Sequence, residues 1–192
     1  MPKEVLEITE QFMKEPIRIL LEKKEVPVKG IKQFFIAMKD NSQKFGTLIQ
    51  LYKNLEIGQC ILFVNTKERV NELSTELKNL KFPIISLTGD MPDEERRAIM
   101  QRFREGEARV LVSTDLIGRG IDIQQVNLVI NYDLPYSLEK YIHRIGRTGR
   151  LGRKGVAINL VTEGDSTTLS LIEKEYGNKM EELPLDLAHI YD

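Results

Sequence analysis

Arg109-Val110-Leu111-Val112-Ser113-Thr114-Asp115-Leu116-Ile117-Gly118-Arg119-Gly120-Ile121-Asp122 starts as an apolar, β-branched run and ends as a polar loop. From Ser113 onward the loop holds two glycines, an arginine, two hydroxyls and two carboxylates. A strand running straight into such a loop sets the pattern for the chain. Arg109–Ser113 has counterparts at Ile31–Ala37, Cys60–Asn65, Phe82–Leu87, Leu128–Tyr132 and Val156–Val161. Between these runs, helical periodicity covers roughly 42–55, 66–80, 92–105, 137–145 and 165–176. Continuous apolar strands alternating with amphipathic helices predict an α/β fold with a mostly parallel sheet and helices on both faces. Ligands of such sheets sit beyond the carboxyl ends of the strands. There the sequence places Asn65-Thr66, Thr88-Gly89-Asp90, Ser113–Asp122 and the stretch after Tyr132.

Local signals agree with these boundaries. Asn65-Thr66-Lys67-Glu68 has the form of a capping box with Asn65 at the cap. Pro92 followed by Asp93-Glu94-Glu95 reads as a first turn whose acids complement the helix dipole. Gly106 closes that helix, and Pro135 with Ser137 opens a later one. Residues 3–13 read as a short amphipathic helix, and 14–30 as a Lys/Glu-rich connector containing Pro16, Pro27 and Gly30. The expected organisation is therefore the end of an upstream unit and a linker at 1–30, then one domain over 31–192.

The chain has 192 residues, 41% hydrophobic and 30% charged, which suits one globular α/β domain. No apolar run is long enough to span a bilayer, so a membrane partner is not expected. The one cysteine, Cys60, lies in an apolar run with no basic neighbour and reads as a buried bystander. No internal disulfide can form, which suits a reducing compartment, cytoplasmic or nuclear. Net charge is only −1, yet residues 140–154 hold Lys140, Arg144, Arg147, Arg150, Arg153 and Lys154 without an acid among them. A local basic patch on a near-neutral protein points to a defined anion site.

Within that patch, His143-Arg144-Ile145-Gly146-Arg147-Thr148-Gly149-Arg150 sets three arginines at three-residue spacing around two glycines. Arginine is always charged, and its planar fork matches phosphate oxygens. Glycine lets backbone approach a ligand. The alternative is a set of structural ion pairs. His143 reads equally well as a tautomer-locked structural residue. In the Ser113–Asp122 loop, Asp122 suits a ribose hydroxyl, while Thr114 and nearby N–H groups suit a backbone phosphate; turn and cap bonds are the alternative. Gly89-Asp90 and Asn65-Thr66 each precede a helix whose N-terminal N–H groups could bind phosphate. Arg96 stands one turn further on. An ordinary cap, and a surface ion pair for Arg96, remain open there.

Half of a nucleotide-hydrolysing site is missing. No G-x-x-x-x-G-K-[ST] stretch occurs, no acidic cluster follows a strand to hold Mg²⁺, and one cysteine with two histidines gives no metal-ligand spacing.

Taken in order, these motifs resemble the second RecA-like domain of DEAD-box RNA helicases, particularly those of the eukaryotic translation initiation factor 4A group. Ile61-Leu62-Phe63-Val64-Asn65-Thr66 resembles helicase motif IV, Ser113–Asp122 motif V and His143–Arg150 motif VI. Phe12–Leu20, Asn131-Tyr132-Asp133-Leu134-Pro135 and Gly152–Asn159 add to the likeness. The resemblance implies a RecA-like three-layer sandwich. It also implies half of an ATP-dependent RNA helicase, with ATP and Mg²⁺ held between two RecA-like domains and the metal on the N-terminal one. Arg147 and Arg150 would then be arginine fingers on the γ-phosphate. Asp122 would take the ribose, with Gly120 beside it, and Arg144 and His143 would couple the nucleotide to the neighbouring domain. Asn65, Thr66, Gly89, Asp90, Arg96, Thr114, Gly118 and Arg119 would line a single-stranded RNA backbone track.

The implied activity is ATP-driven local unwinding of short RNA duplexes, with translation initiation as the expected setting. Exon-junction and ribosome-biogenesis helicases share these motifs, and a non-enzymatic RNA- or protein-docking module is the rival class. The implied partners are RNA, the N-terminal domain and a scaffold of the initiation type; these 192 residues alone are expected to be monomeric and inactive. Four positions depart from the family pattern: Thr88 for histidine, Asp93 for glutamine, Gly118 for alanine and Leu151 for an aromatic residue.

Overall fold

Alternation of side chains along each strand decides which face every residue serves. In the computed structural model, which describes residues 30–55, 58–115, 126–148, 155–177, 179–184 and 190, the strands divide accordingly. They are β1 (Ile31–Met38), β2 (Cys60–Phe63), β3 (Ile84–Leu87), β4 (Val110–Ser113), β5 (Leu128–Asn131), β6 (Gly155–Thr162) and β7 (Glu181–Glu182). The helices are α1 (Ser42–Asn54), α2 (Lys67–Asn79), α3 (Asp93–Arg104), α4 (Leu138–Ile145) and α5 (Ser166–Tyr176), with a 3₁₀ turn at Glu163–Asp165. Cys60, Leu62, Val110, Val112, Leu128 and Ile130 pack with Leu48 and Leu51 of α1 and Val70, Leu73 and Leu77 of α2. Ile61, Phe63, Leu111 and Val129 face the other way, onto Met100 and Phe103 of α3. Ala157 joins Tyr141 and Ile145 of α4 and Ile172 of α5 in a third cluster. Helices thus cover both faces, giving the three-layer sandwich.

The sheet order is β3-β4-β2-β5-β6-β1-β7, and every pairing is parallel. From β2 the chain goes to one edge, returns through β4, and then crosses to the opposite side of β2 to form β5. The carboxyl end of β2 therefore lies at the change of direction, the usual position for a ligand in such sheets.

Expected and observed boundaries differ for physical reasons. β3 starts at Ile84 rather than Phe82, because the Phe82 N–H donates to the Leu77 carbonyl at the end of α2 and Pro83 has no N–H. The α2 cap is Thr66, whose Oγ1 accepts from the Arg69 N–H at 3.2 Å; the expectation of Asn65 is corrected. Ser137 caps α4 as expected, accepting from the Lys140 N–H. Gly106 follows α3 with φ +80°, the left-handed geometry that glycine adopts without strain. β7 has no counterpart among the expected strands, since a two-residue pair of glutamates carries no apolar signal.

Cys60 is 1% exposed, and burial pushes its thiol up to about 12. Disulfide reagents are therefore expected to leave native protein unlabelled at neutral pH and to label it once denaturant unfolds the sheet. Stoichiometric labelling of the native domain within minutes would contradict this placement of β2.

Candidate functional site

Past the carboxyl ends of β2, β3 and β4 the chain leaves a cleft of about 810 Å³. Its walls include Phe63, Asn65 and Lys67 after β2, Gly89 and Asp90 after β3, and Thr114 and Asp115 after β4. α4 and its end supply Lys140, His143, Arg144 and Arg147. Seven residues singled out in the sequence (Asn65, Gly89, Asp90, Thr114, His143, Arg144 and Arg147) are thereby brought to one place. Thr66 and Arg96 are not among the lining residues. Gly118, Arg119, Gly120, Asp122 and Arg150 fall outside the described residues.

Arg144 is the floor of the cleft and is 1% exposed. Its Nε and Nη2 donate together to the two carboxylate oxygens of Asp115, the second at 3.0 Å. Nη2 also donates to Asn65 Oδ1 at 2.7 Å. Nη1 donates to the Asp133 carbonyl at 2.7 Å and to Asn131 Oδ1 at 3.3 Å. The guanidinium lies over the Phe63 ring, 5.2 Å from its centre. All five N–H groups are used within the chain. The ion-pairing alternative therefore describes Arg144, and in this conformation no N–H is left for a phosphate.

Asn65 belongs to the same assembly. Its Nδ2 donates to the Leu134 carbonyl at 3.0 Å, and its backbone N–H donates to Asp133 Oδ2 at 3.1 Å. Behind Asp133 stands Lys44, a buried lysine of α1, 3.4 Å from Asp133 Oδ1 and 3.8 Å from Asp165 Oδ2. Asn131, at the base, donates to Asn159 Oδ1, and Asn159 donates to the Phe34 carbonyl. The sequence brings the stretches holding Asp115 and Asp133 to this edge but does not mark them as partners of Arg144, Asn65 and Lys44, and nothing in it marks Lys44 at all. Their importance comes from contacts between residues 29 to 89 apart.

Arg147 is placed differently. α4 stops at Ile145, and a Cβ at Gly146 would lie 2.9 Å from the Ile142 carbonyl oxygen, so glycine is needed where the chain leaves the helix. Arg147 follows in that turn, half-exposed, with Nε donating to the His143 carbonyl at 3.3 Å. His143 is exposed in the last turn of α4. Thus two arginines three residues apart serve opposite ends, one sealed beneath the cleft and one at its wall.

On the facing wall, Lys67 donates to Asp90 Oδ2, and Thr88 Oγ1 donates to Asp90 Oδ1 at 2.6 Å. Those two hydrogen bonds, Lys67 first, hold the Asp90 carboxyl down at about 2. Arg96 pairs with Asp93 at 2.9 Å, the surface ion pair kept open for it in the sequence. Thr114 is buried beside Ser113, whose hydroxyl donates to the Leu87 carbonyl and ties β4 to β3.

Comparison with known proteins places this geometry. The helicase conserved C-terminal domain family matches residues 43–152. ATP-dependent RNA helicase eIF4A of Saccharomyces cerevisiae is 50% identical over 188 residues, covering 98% of this chain and 48% of that protein. The chain spans about half the length of the curated relatives it matches. Among solved structures, the DEAD-box protein SrmB of E. coli, bound to regulator of ribonuclease activity A, is 38% identical with a TM-score of 0.77. That match covers 82% of this chain and 93% of SrmB's. S. cerevisiae Dbp5 bound to RNA and ADP BeF3 is 38% identical with a TM-score of 0.84, covering 99% of this chain and 51% of that one. The motifs in order, the all-parallel sheet and these matches agree: the chain belongs to the helicase conserved C-terminal domain family, as the second RecA-like domain of a DEAD-box protein.

Proposed function

We propose that this domain is the C-terminal half of an ATP-dependent RNA helicase, residues 1–30 forming the link from an N-terminal RecA-like domain and 31–192 the domain proper. The observation that carries the reading is the cleft at the carboxyl ends of β2 and β4. It presents Arg147 and His143 on one wall and lacks the P-loop that an independent nucleotide site needs. An arginine at the wall of an open cleft suits a polyphosphate brought by another domain. ATP would lie between the two halves, its Mg²⁺ held by the N-terminal one. Arg147 and Arg150 would stabilise charge on the transferring phosphoryl group, and Asp122 with Gly120 would take the ribose. Arg144 contributes by fixing Asp115 and Asn65 in position, while His143 faces the neighbouring domain.

RNA would cross the other wall through Asn65, Thr66, Gly89, Asp90, Arg96, Thr114, Gly118 and Arg119, held by its backbone and therefore with little sequence preference. The names of the relatives, eIF4A and eukaryotic initiation factor 4A-3, favour translation initiation; a cytoplasmic setting and a scaffold protein as partner belong to the same proposal. Among the described residues no helix is long and apolar enough to cross a membrane.

Purified alone, these 192 residues are expected to show no ATP turnover, with or without RNA. Joined to the N-terminal domain, they are expected to show RNA-stimulated turnover that matched DNA does not support, because 2′-hydroxyl contacts separate the two. Turnover by the isolated domain that persists in Arg147→Ala would overturn the divided-site reading. A two-domain protein that binds RNA without hydrolysing ATP would favour a docking module instead.

A further inference from the structure

Among the described residues, Lys67 and Arg96 beside the proposed RNA wall are each matched by a carboxylate from one short segment. Lys67 stands in the first turn of α2, 51% exposed, and lines the cleft beside Thr114 and Asp90. Its partner Asp90 is 53% exposed and is held as a fixed acceptor by Thr88 Oγ1. Three residues on, Asp93 takes Arg96, whose side chain is largely buried while Asp93 is open to solvent. Asp93, Glu94 and Glu95 occupy the first turn of α3, so a helix end suited to phosphate carries acids instead. Across the cleft Asp115 matches Arg144, with Lys140 3.8 Å away. Much of the positive charge near the cleft is thus cancelled within the chain.

Phosphate can reach such a cation only by displacing its carboxylate. The Lys67–Asp90 pair is exposed on both sides, and such a pair is worth little, so exchange at Lys67 is accessible at ordinary ionic strength. Phosphate affinity in turn comes mainly from counterions released per phosphate neutralised. A lysine already neutralised by Asp90 adds almost nothing to that release.

We propose that Lys67 is a phosphate contact of the RNA track held in reserve by Asp90, and that Arg96 is held likewise by Asp93, so that RNA binds by partner exchange. The proposal rests on the RNA-track reading above. It makes Asp90 a competitor of RNA phosphate rather than a ligand for it.

The test is a titration of a fluorescent oligouridylate with the full-length protein across a salt series. Asp90→Asn keeps an acceptor for Thr88 and removes the charge. It is expected to tighten binding about two- to fivefold at low salt and to steepen the log-affinity against log-salt slope by about 0.7, one more phosphate on a single strand. Lys67→Gln alone is expected to change affinity by less than about twofold, and to erase the gain when combined with Asp90→Asn. Asp93→Asn should act in the same direction through Arg96. Unchanged or weaker binding by Asp90→Asn overturns the proposal. So does a gain that survives removal of Lys67, since that would be a general field effect. Absence of any salt-dependent RNA binding by the unaltered protein overturns the RNA-track reading itself. RNA binding that Asp90→Asn leaves untouched overturns only the exchange.

Discussion

Arg147→Ala in the two-domain protein is expected to lower RNA-stimulated ATP hydrolysis by about 10³–10⁵-fold, the range set by loss of an arginine finger. At about 1.4 kcal/mol per factor of ten, that is roughly 4–7 kcal/mol of transition-state stabilisation. The folded domain should barely register the change. Arg147 sits in the turn after α4, half-exposed, and its Nε bond goes to a carbonyl of its own chain. The expected loss is that of a cation at a helix end, about 1 kcal/mol, or a few degrees in Tm. Arg147→Lys retains the charge but not the planar fork, so it should recover little of the rate. The measurements are steady-state ATP turnover with saturating RNA and thermal melts of the same preparations. Turnover within tenfold of the unaltered protein would remove Arg147 from the hydrolytic role. A collapse in Tm would move it to the structural one.

Much of the fold was legible because its signals are local. Strands buried on both faces read as apolar runs, Ser137 caps α4 from its own hydroxyl, and Gly106 ends α3 with its own positive φ. β7 was invisible, because its two residues pair with β1 only through tertiary placement. The cleft was legible as a set of loops, since topology alone carries Asn65, Gly89, Thr114 and Arg147 to one sheet edge. What spacing could not separate was Arg144 from Arg147. In a list they form one array, but α4 ends between them at Ile145. Arg144, still helical, is turned into partners at 115, 131, 133 and 65, while Arg147 is left at the surface. Lys44 escaped notice for the same reason: nothing near it in sequence signals a buried ammonium lying 3.4 Å from a carboxylate 89 residues away.

That division makes the stability of the domain the place to look for Arg144. Arg144→Met is expected to destabilise the isolated domain by about 3–5 kcal/mol, the usual cost of breaking a buried ion pair by removing one partner. Asp115 loses its two-point partner and, among the described residues, keeps Lys140 at 3.8 Å. The Asp133 carbonyl, Asn131 Oδ1 and Asn65 Oδ1 each lose a donor, and of these Asn131 is fully buried. For a domain of this size the loss corresponds to a fall of about 6–20 °C in Tm. Arg144→Lys should not rescue it, since three donors on a point charge cannot reach Asp115, Asn65 and Asn131 at once. Because total stability is only about 5–15 kcal/mol, the milder Asp115→Asn serves where the methionine variant does not accumulate. Denaturant unfolding of the two single variants and the double variant closes the cycle. If the pair is coupled, Asp115→Asn should cost markedly less once Arg144 is gone. Additive costs with a loss below about 1 kcal/mol would show that Arg144 is not the structural centre of the cleft, and would return it to the nucleotide beside Arg147.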